Sequence, residues 1–154
     1  MRQLDFKEEQ PPVAPQELAA AEAALAELGH RIPPSYREFL SGHDGGPPVQ
    51  DTFEFEDADG RRQRDRVHYF LGVADSLDGD LVETAGALHG RVLPGMLPIA
   101  GDEYGNFLLL DARDGGDGPV WFWDHERESD DPEDATLAHV APDLETFLDD
   151  LAAE

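Results

Sequence analysis

Cysteine is absent from all 154 residues, which removes disulfides, thiolate metal sites and a cysteine nucleophile and fits a reducing compartment. Basic residues are scarce. Lys and Arg total 11 against 35 Asp and Glu, a formal net charge of -24, and Lys7 is the single lysine. Phosphate backbones and anionic membranes repel such a chain, so the reading is no direct nucleic-acid binding and no membrane binding. Long apolar runs are missing as well. Nothing approaches the ~20 apolar residues of a spanning helix, and the opening "MRQLDFKEEQPP" has no apolar run behind a basic start. The expected location is cytoplasmic.

What is present suffices for a core. Hydrophobic residues make up 40% of the chain, and one domain of this length buries roughly 70% of its unfolded surface. After an N-terminal extension over residues 1–14, expected to fray, "PQELAAAEAALAELG" sets Leu18, Ala21, Leu25 and Leu28 on one helical stripe closed by Gly29. Pro33 and Pro34 suit the entry of a second, short helix in which Tyr36, Phe39 and Leu40 share a face, and "SGHDGG" stops it. The stretch "TFEFEDADGRRQRDRVHYFLGV" reads as a hairpin with a polar tip at residues 57–65. In "DSLDGDLVETAGALHG", Asp75 is a candidate N-cap for a helix with Leu77, Leu81, Val82, Ala85 and Leu88 on its apolar face, against which Gly79 and Gly86 count.

Three strand signals follow, "MLPIAG", "NFLLLDA" and "PVWFWD", a meander joined by "DEYG" and "RDGGDG". The last stretch places Leu144, Phe147, Leu148 and Leu151 at helical spacing behind Pro142 and Asp143. The order is helix, helix, strands, helix, three strands, helix. That is one α+β domain over residues 15–154, with helices flanking an antiparallel sheet.

Six histidines and many carboxylates invite a catalytic or metal reading, and the motifs do not support one. There is no H-E-x-x-H and no G-x-S-x-G. The calcium-loop candidate "FEDADGRRQRDR" has Phe55 at its first position and Arg66 where a glutamate is needed. His125 lies between Asp124 and Glu126, but neighbours along a strand point to opposite faces, so a polar strand end is the better reading. In "VWFWD", alternation sends Trp121 and Trp123 to one face and Phe122 to the other, and burial of both is favoured. "RRQRDR" reads as a solvated tip or a counter-patch to acidic neighbours. The expectation is no catalytic residue, no metal and no cofactor.

The ordered set "IPPSYREFLSGHDGG", "LPIAGDEYGNFLLLDAR", "GPVWFWDHE" and "DLETFLDDL" resembles the SUKH superfamily, across roughly residues 15–152. That superfamily includes fungal cell-wall-assembly regulators and many bacterial immunity proteins. The resemblance implies a structural role for Pro34, Tyr36, Phe39, Leu40, Trp123, Phe147 and Leu148, and a turn shaped by Asp102, Gly105 and Asn106. It implies a non-catalytic protein-binding domain.

Charge narrows this further. From Asp124 to Asp134 there are seven acids and one Arg, and from Asp124 onward 12 acids face one base, about half of the net charge on a fifth of the chain. Such a field steers a basic partner and raises association rates by factors of ~10 to 10³ at low salt. The expectation is an immunity protein that occludes a basic toxin domain, a nuclease being the natural class. The contact residues would be Asp102, Glu103, Tyr104, Asp124, Glu126, Glu128, Asp130 and Asp131. The alternative is an intracellular regulatory scaffold, and a carboxylate-based metal-dependent hydrolase is a third, weaker reading.

Overall fold

The computed structural model describes residues 1–74, 80–127 and 137–153. Helix α1 (Pro15–Glu27) starts with proline at its first position, and the Glu17 carboxylate accepts the Ala14 N–H at 3.2 Å. Ala21 and Leu25 are buried, with Leu18 and Leu28 half-buried beside them. Helix α2 (Pro34–Gly42) buries Tyr36, Phe39 and Leu40. The Tyr36 hydroxyl donates to the carbonyls of Leu71 and Ile99, which fixes this short helix to two neighbouring segments. Beyond it, Gly45 adopts φ 65° and a Cβ there would lie 2.5 Å from the Phe70 carbonyl oxygen, so only glycine permits the approach.

The first residues do not fray. Leu4 and Val13 are buried, and the Arg2 guanidinium donates to the carbonyls of Leu148 and Leu151, both at 2.8 Å. Lys7 N–H reaches the Pro47 carbonyl and Val49 N–H reaches that of Asp5.

The hairpin differs from expectation in its second strand. Strand β1 (Thr52–Glu56) pairs antiparallel with β2 (Arg62–Arg66), so the arginine run is a strand and the tip shrinks to 57–61. Register explains this. Glu54 and Glu56 stand opposite Arg64 and Arg62 on one face, while Phe53 and Phe55 stand opposite Asp65 and Gln63 on the other. The apolar stretch expected as the second strand goes elsewhere, because β3 (Tyr69–Phe70) joins a different sheet.

That sheet has five strands in the order β3-β4-β5-β6-β7. Strands β4 (Met96–Gly101), β5 (Phe107–Asp111) and β6 (Val120–Trp123) form the expected antiparallel meander. Strand β4 is buried throughout, and Pro98, which has no N–H to donate, sits at a register shift. A fourth strand after the third helix, β7 (Leu137–Ala141), goes beyond the three strands expected there and pairs with β6.

Helix α3 (Leu81–Ala87) is capped by Asp80, whose carboxylate accepts the Glu83 N–H at 2.9 Å. The expected cap Asp75 and the apolar Leu77 lie outside the described residues. Helix α4 (Leu144–Asp150) is capped by Asp143 and buries Leu144, Phe147 and Leu148.

Both faces of the five-stranded sheet are covered, as the alternation of β6 requires. Phe122 faces the larger core with Leu108 and Leu110, over which the β1–β2 hairpin lays Phe53 and Phe55; the Phe55 and Phe122 centroids are 4.5 Å apart. Trp123 faces the smaller core of Leu88, Val92, Met96 and Leu109, with Trp121 against it. The result is a single α+β domain. Among the described residues no helix is long and apolar enough to cross a membrane.

Candidate partner-binding face

The turn after β4 is built around one carboxylate. Asp102 Oδ1 accepts the N–H groups of Tyr104 (2.8 Å) and Asn106 (2.9 Å), and Oδ2 accepts the Asn106 side-chain amide (2.9 Å). An aspartate that satisfies donors two and four residues on closes a tight turn, and Gly105 completes it at φ 90°. Asn106 then reaches across to the end of β6. Its Oδ1 accepts from the His125 backbone N–H at 3.1 Å and meets His125 Nδ1 at 2.7 Å. Two loops far apart in the chain are thereby held side by side.

Beyond β6, Asp124 starts a single 3-10 turn, His125–Arg127, by accepting the Glu126 N–H at 2.9 Å. Arg127 pairs with Asp59 of the hairpin tip at 2.8 Å and approaches Asp124 at 3.9 Å. The tip is folded by Asp57, whose Oδ1 accepts the N–H groups of Asp59 and Arg61 and whose Oδ2 accepts from Gln63. Those donors, led by Arg61, hold the Asp57 carboxyl below the usual carboxylate range. Its lone pairs serve the turn.

Hairpin, turn and 3-10 segment enclose a cleft of about 290 Å³ lined by Asp57, Asp65, Asp102, Tyr104, Asn106, Asp124 and Arg127 among others, with Phe55 and Phe122 at its floor. Three of the residues expected to contact a partner, Asp102, Tyr104 and Asp124, share it. Glu103 lies over an adjoining depression with Arg66 and Asp65, and its carboxylate is 3.6 Å from His68. Glu126 is exposed on the 3-10 turn. Glu128, Asp130 and Asp131 lie outside the described residues.

Asp65 is the member that sequence reasoning missed. It lies on the inner face of β2, opposite Phe53. Burial, then a hydrogen bond to Asp102 and the charges of Asp102 and Glu103, push its carboxyl up to about 7. The period-two alternation of "RQRDR" against "TFEFE" was the signal for it. His125, read as a polar strand end, serves as a strut for Asn106. Among the described residues, no group of three or more His, Cys, Asp or Glu is arranged to hold a metal ion.

The cleft therefore combines a lining of four aspartates with Arg64 and Arg127, an apolar floor and Tyr104, which is 71% exposed. A face of this kind on a mixed α+β domain is suited to meeting a basic surface. The chain belongs to the SMI1 / KNR4 family (SUKH-1), whose model matches residues 12–150. That family is generally one of non-catalytic immunity and regulatory proteins. No curated protein matches the chain.

Proposed function

We propose that this protein is a non-catalytic immunity protein of the cytoplasm whose acidic cleft face binds and occludes a basic toxin domain, most naturally a nuclease. The observation that carries the reading is the convergence of Asp102, Tyr104 and Asp124 from two separate loops on one cleft; the chain's densest acidic stretch begins in sequence at that same Asp124. A nuclease surrounds its phosphate site with basic side chains, and an acidic face covers that site by charge complementarity. Tyr104 supplies the amphipathic anchor typical of interface centres. Glu103 and Glu126 extend the field beside the cleft, and Glu128, Asp130 and Asp131, which follow in sequence, add charge that steers approach more than it holds the complex.

The test is retention of partners from the host lysate by tagged protein at low and at high salt, identified by mass spectrometry. The variant Glu126→Gln/Glu128→Gln/Asp130→Asn/Asp131→Asn runs beside the wild type, with its unfolding midpoint checked. The expected outcome is a basic toxin domain held at low salt, released at high salt and bound less by the variant. Recovery of acidic or housekeeping proteins alone, or retention indifferent to salt and to the variant, would remove the toxin reading and favour the regulatory scaffold.

A further inference from the structure

His43 stands where three parts of the chain meet: the end of α2, the turn through Gly45 and Gly46, and the N-terminal segment. Its Nδ1 lies 2.6 Å from the Gly45 carbonyl oxygen, and its Nε2 lies 3.1 Å from the Gln10 backbone nitrogen. A carbonyl only accepts and a backbone N–H only donates, so Nδ1 carries the proton and Nε2 offers its lone pair. The Phe6 ring lies flat against the imidazole, with centroids 3.6 Å apart and planes 7° from parallel. One neutral ring thus holds the N-terminal segment at two points, Phe6 and Gln10.

We propose that His43 is a pH-operated latch: a proton gained at Nε2 sets N–H against the Gln10 N–H, and the segment around Gln10 lets go. The other fastenings of this segment contain no imidazole. Arg2 caps α4, Lys7 N–H holds the Pro47 carbonyl, Asp44 N–H holds that of Pro11, and Val13 N–H holds that of Leu40. Release is therefore confined to the stretch between Lys7 and Pro11, and it widens a cavity of about 340 Å³ between the N-terminal segment and α2.

The charged groups that line that cavity with His43 are the Met1 α-amino group, Arg2, Asp5 and Glu9 from the N-terminal segment and Glu38 from α2. Asp44 follows it in the chain with its carboxylate turned away to Val73 and Ala74, and Lys7 is drawn to Asp51. Of the carboxylates on that cavity, Asp5 already accepts from the Gln50 side-chain amide at 2.8 Å, so Glu9 and Glu38 are the ones to hold the imidazolium once Gln10 has left. Their own titration has to be separated from that of the ring.

The experiment follows the His43 ring by NMR together with the hydrogen exchange of the Gln10 amide, from about pH 8 to about pH 5. Protection of Gln10, corrected for intrinsic exchange, should fall about tenfold in step with ring protonation, while the Val13 and Asp44 amides stay protected. Constant Gln10 protection while the ring titrates overturns the latch, and so does a ring that stays neutral until acid unfolding. A second reading is the rate of tryptic cleavage after Lys7, whose acid-induced rise should vanish in His43→Gln. An equal rise in that variant would assign the opening to Asp5, Glu9 or Glu38 and overturn the proposal; if the variant does not fold, the wild-type measurements decide.

Discussion

Asp44 and Asp65 are both drawn out of water, and burial pushes up the pKa of each, yet their surroundings answer that burial in opposite ways. Asp44, 1% exposed, has a backbone donor on each oxygen, Val73 at 2.7 Å and Ala74 at 3.1 Å. Gly72 makes the room, because a Cβ there would lie 2.5 Å from Asp44 Oδ1. Asp65 instead faces Asp102, whose oxygens are already occupied by Tyr104 and Asn106. A buried acid ringed by donors is part of the scaffold. A half-buried acid set against another acid is held protonated by burial and by the neighbouring negative charge instead of being satisfied by donors.

Removing the scaffold acid should produce the larger effect on folding. Asp44→Ala leaves two half-buried N–H groups without acceptors, which costs about 1–2 kcal/mol. Denaturant unfolding measures it. A loss below about 0.5 kcal/mol, the level of an ordinary surface change, would erase the distinction between the two aspartates.

Asp65 should show itself through pH. In the folded chain it keeps its proton up to about 7, against an ordinary value of 3.8. Between those values the folded state binds more protons than the unfolded state, so this group's stabilising contribution is complete below about pH 4 and is lost as pH rises through 7. Asp65→Asn retains a neutral donor toward Asp102 and has no such slope. Its stability should match the wild type in acid and exceed it above pH 7 by about 1 kcal/mol, a figure reduced for the half of the side chain still in solvent. The raised Asp44 slopes the same way in both proteins and cancels. A difference that does not change with pH would show that Asp65 is not the titrating group.

The legible parts of the molecule were those whose cause is local. Helical stripes located α1 and α4, two prolines located the start of α2, and period-two alternation sorted Trp121 and Trp123 from Phe122. Where pairing depends on a distant strand, the local pattern misleads. Strand β2 is polar on its outer face and carries Gln63 and Asp65 inward, so it resembles a tip until Glu54 and Glu56 are opposite its arginines. Strand β7 follows an acidic run whose charge masks "LAHVA", and β6 supplies the missing hydrogen bonds. The cleft shows the same division. Asp102, Tyr104 and Asp124 were legible as surface groups on turns, whereas Asp65 joins them only once β2 is folded over the sheet, and the bond from Asn106 to His125 exists only between strands.

Tyr104 sets recognition apart from folding, with the smallest effect on stability. Its ring is 71% exposed, and the hydrogen bond that shapes its turn comes from its backbone N–H, which alanine retains. Tyr104→Ala should therefore unfold within about 0.5 kcal/mol of the wild type. If the cleft face is the docking surface, the same change removes an aromatic anchor and weakens binding of the basic partner by more than about 1 kcal/mol, close to tenfold. Asp44→Ala should do the reverse: less folded protein, with the folded fraction binding as before. Calorimetric titration of each variant against the same partner reads both halves. Wild-type affinity in Tyr104→Ala would move recognition away from the cleft and leave its acids as solvated surface, and a large loss of stability in that variant would mean that the turn depends on the ring.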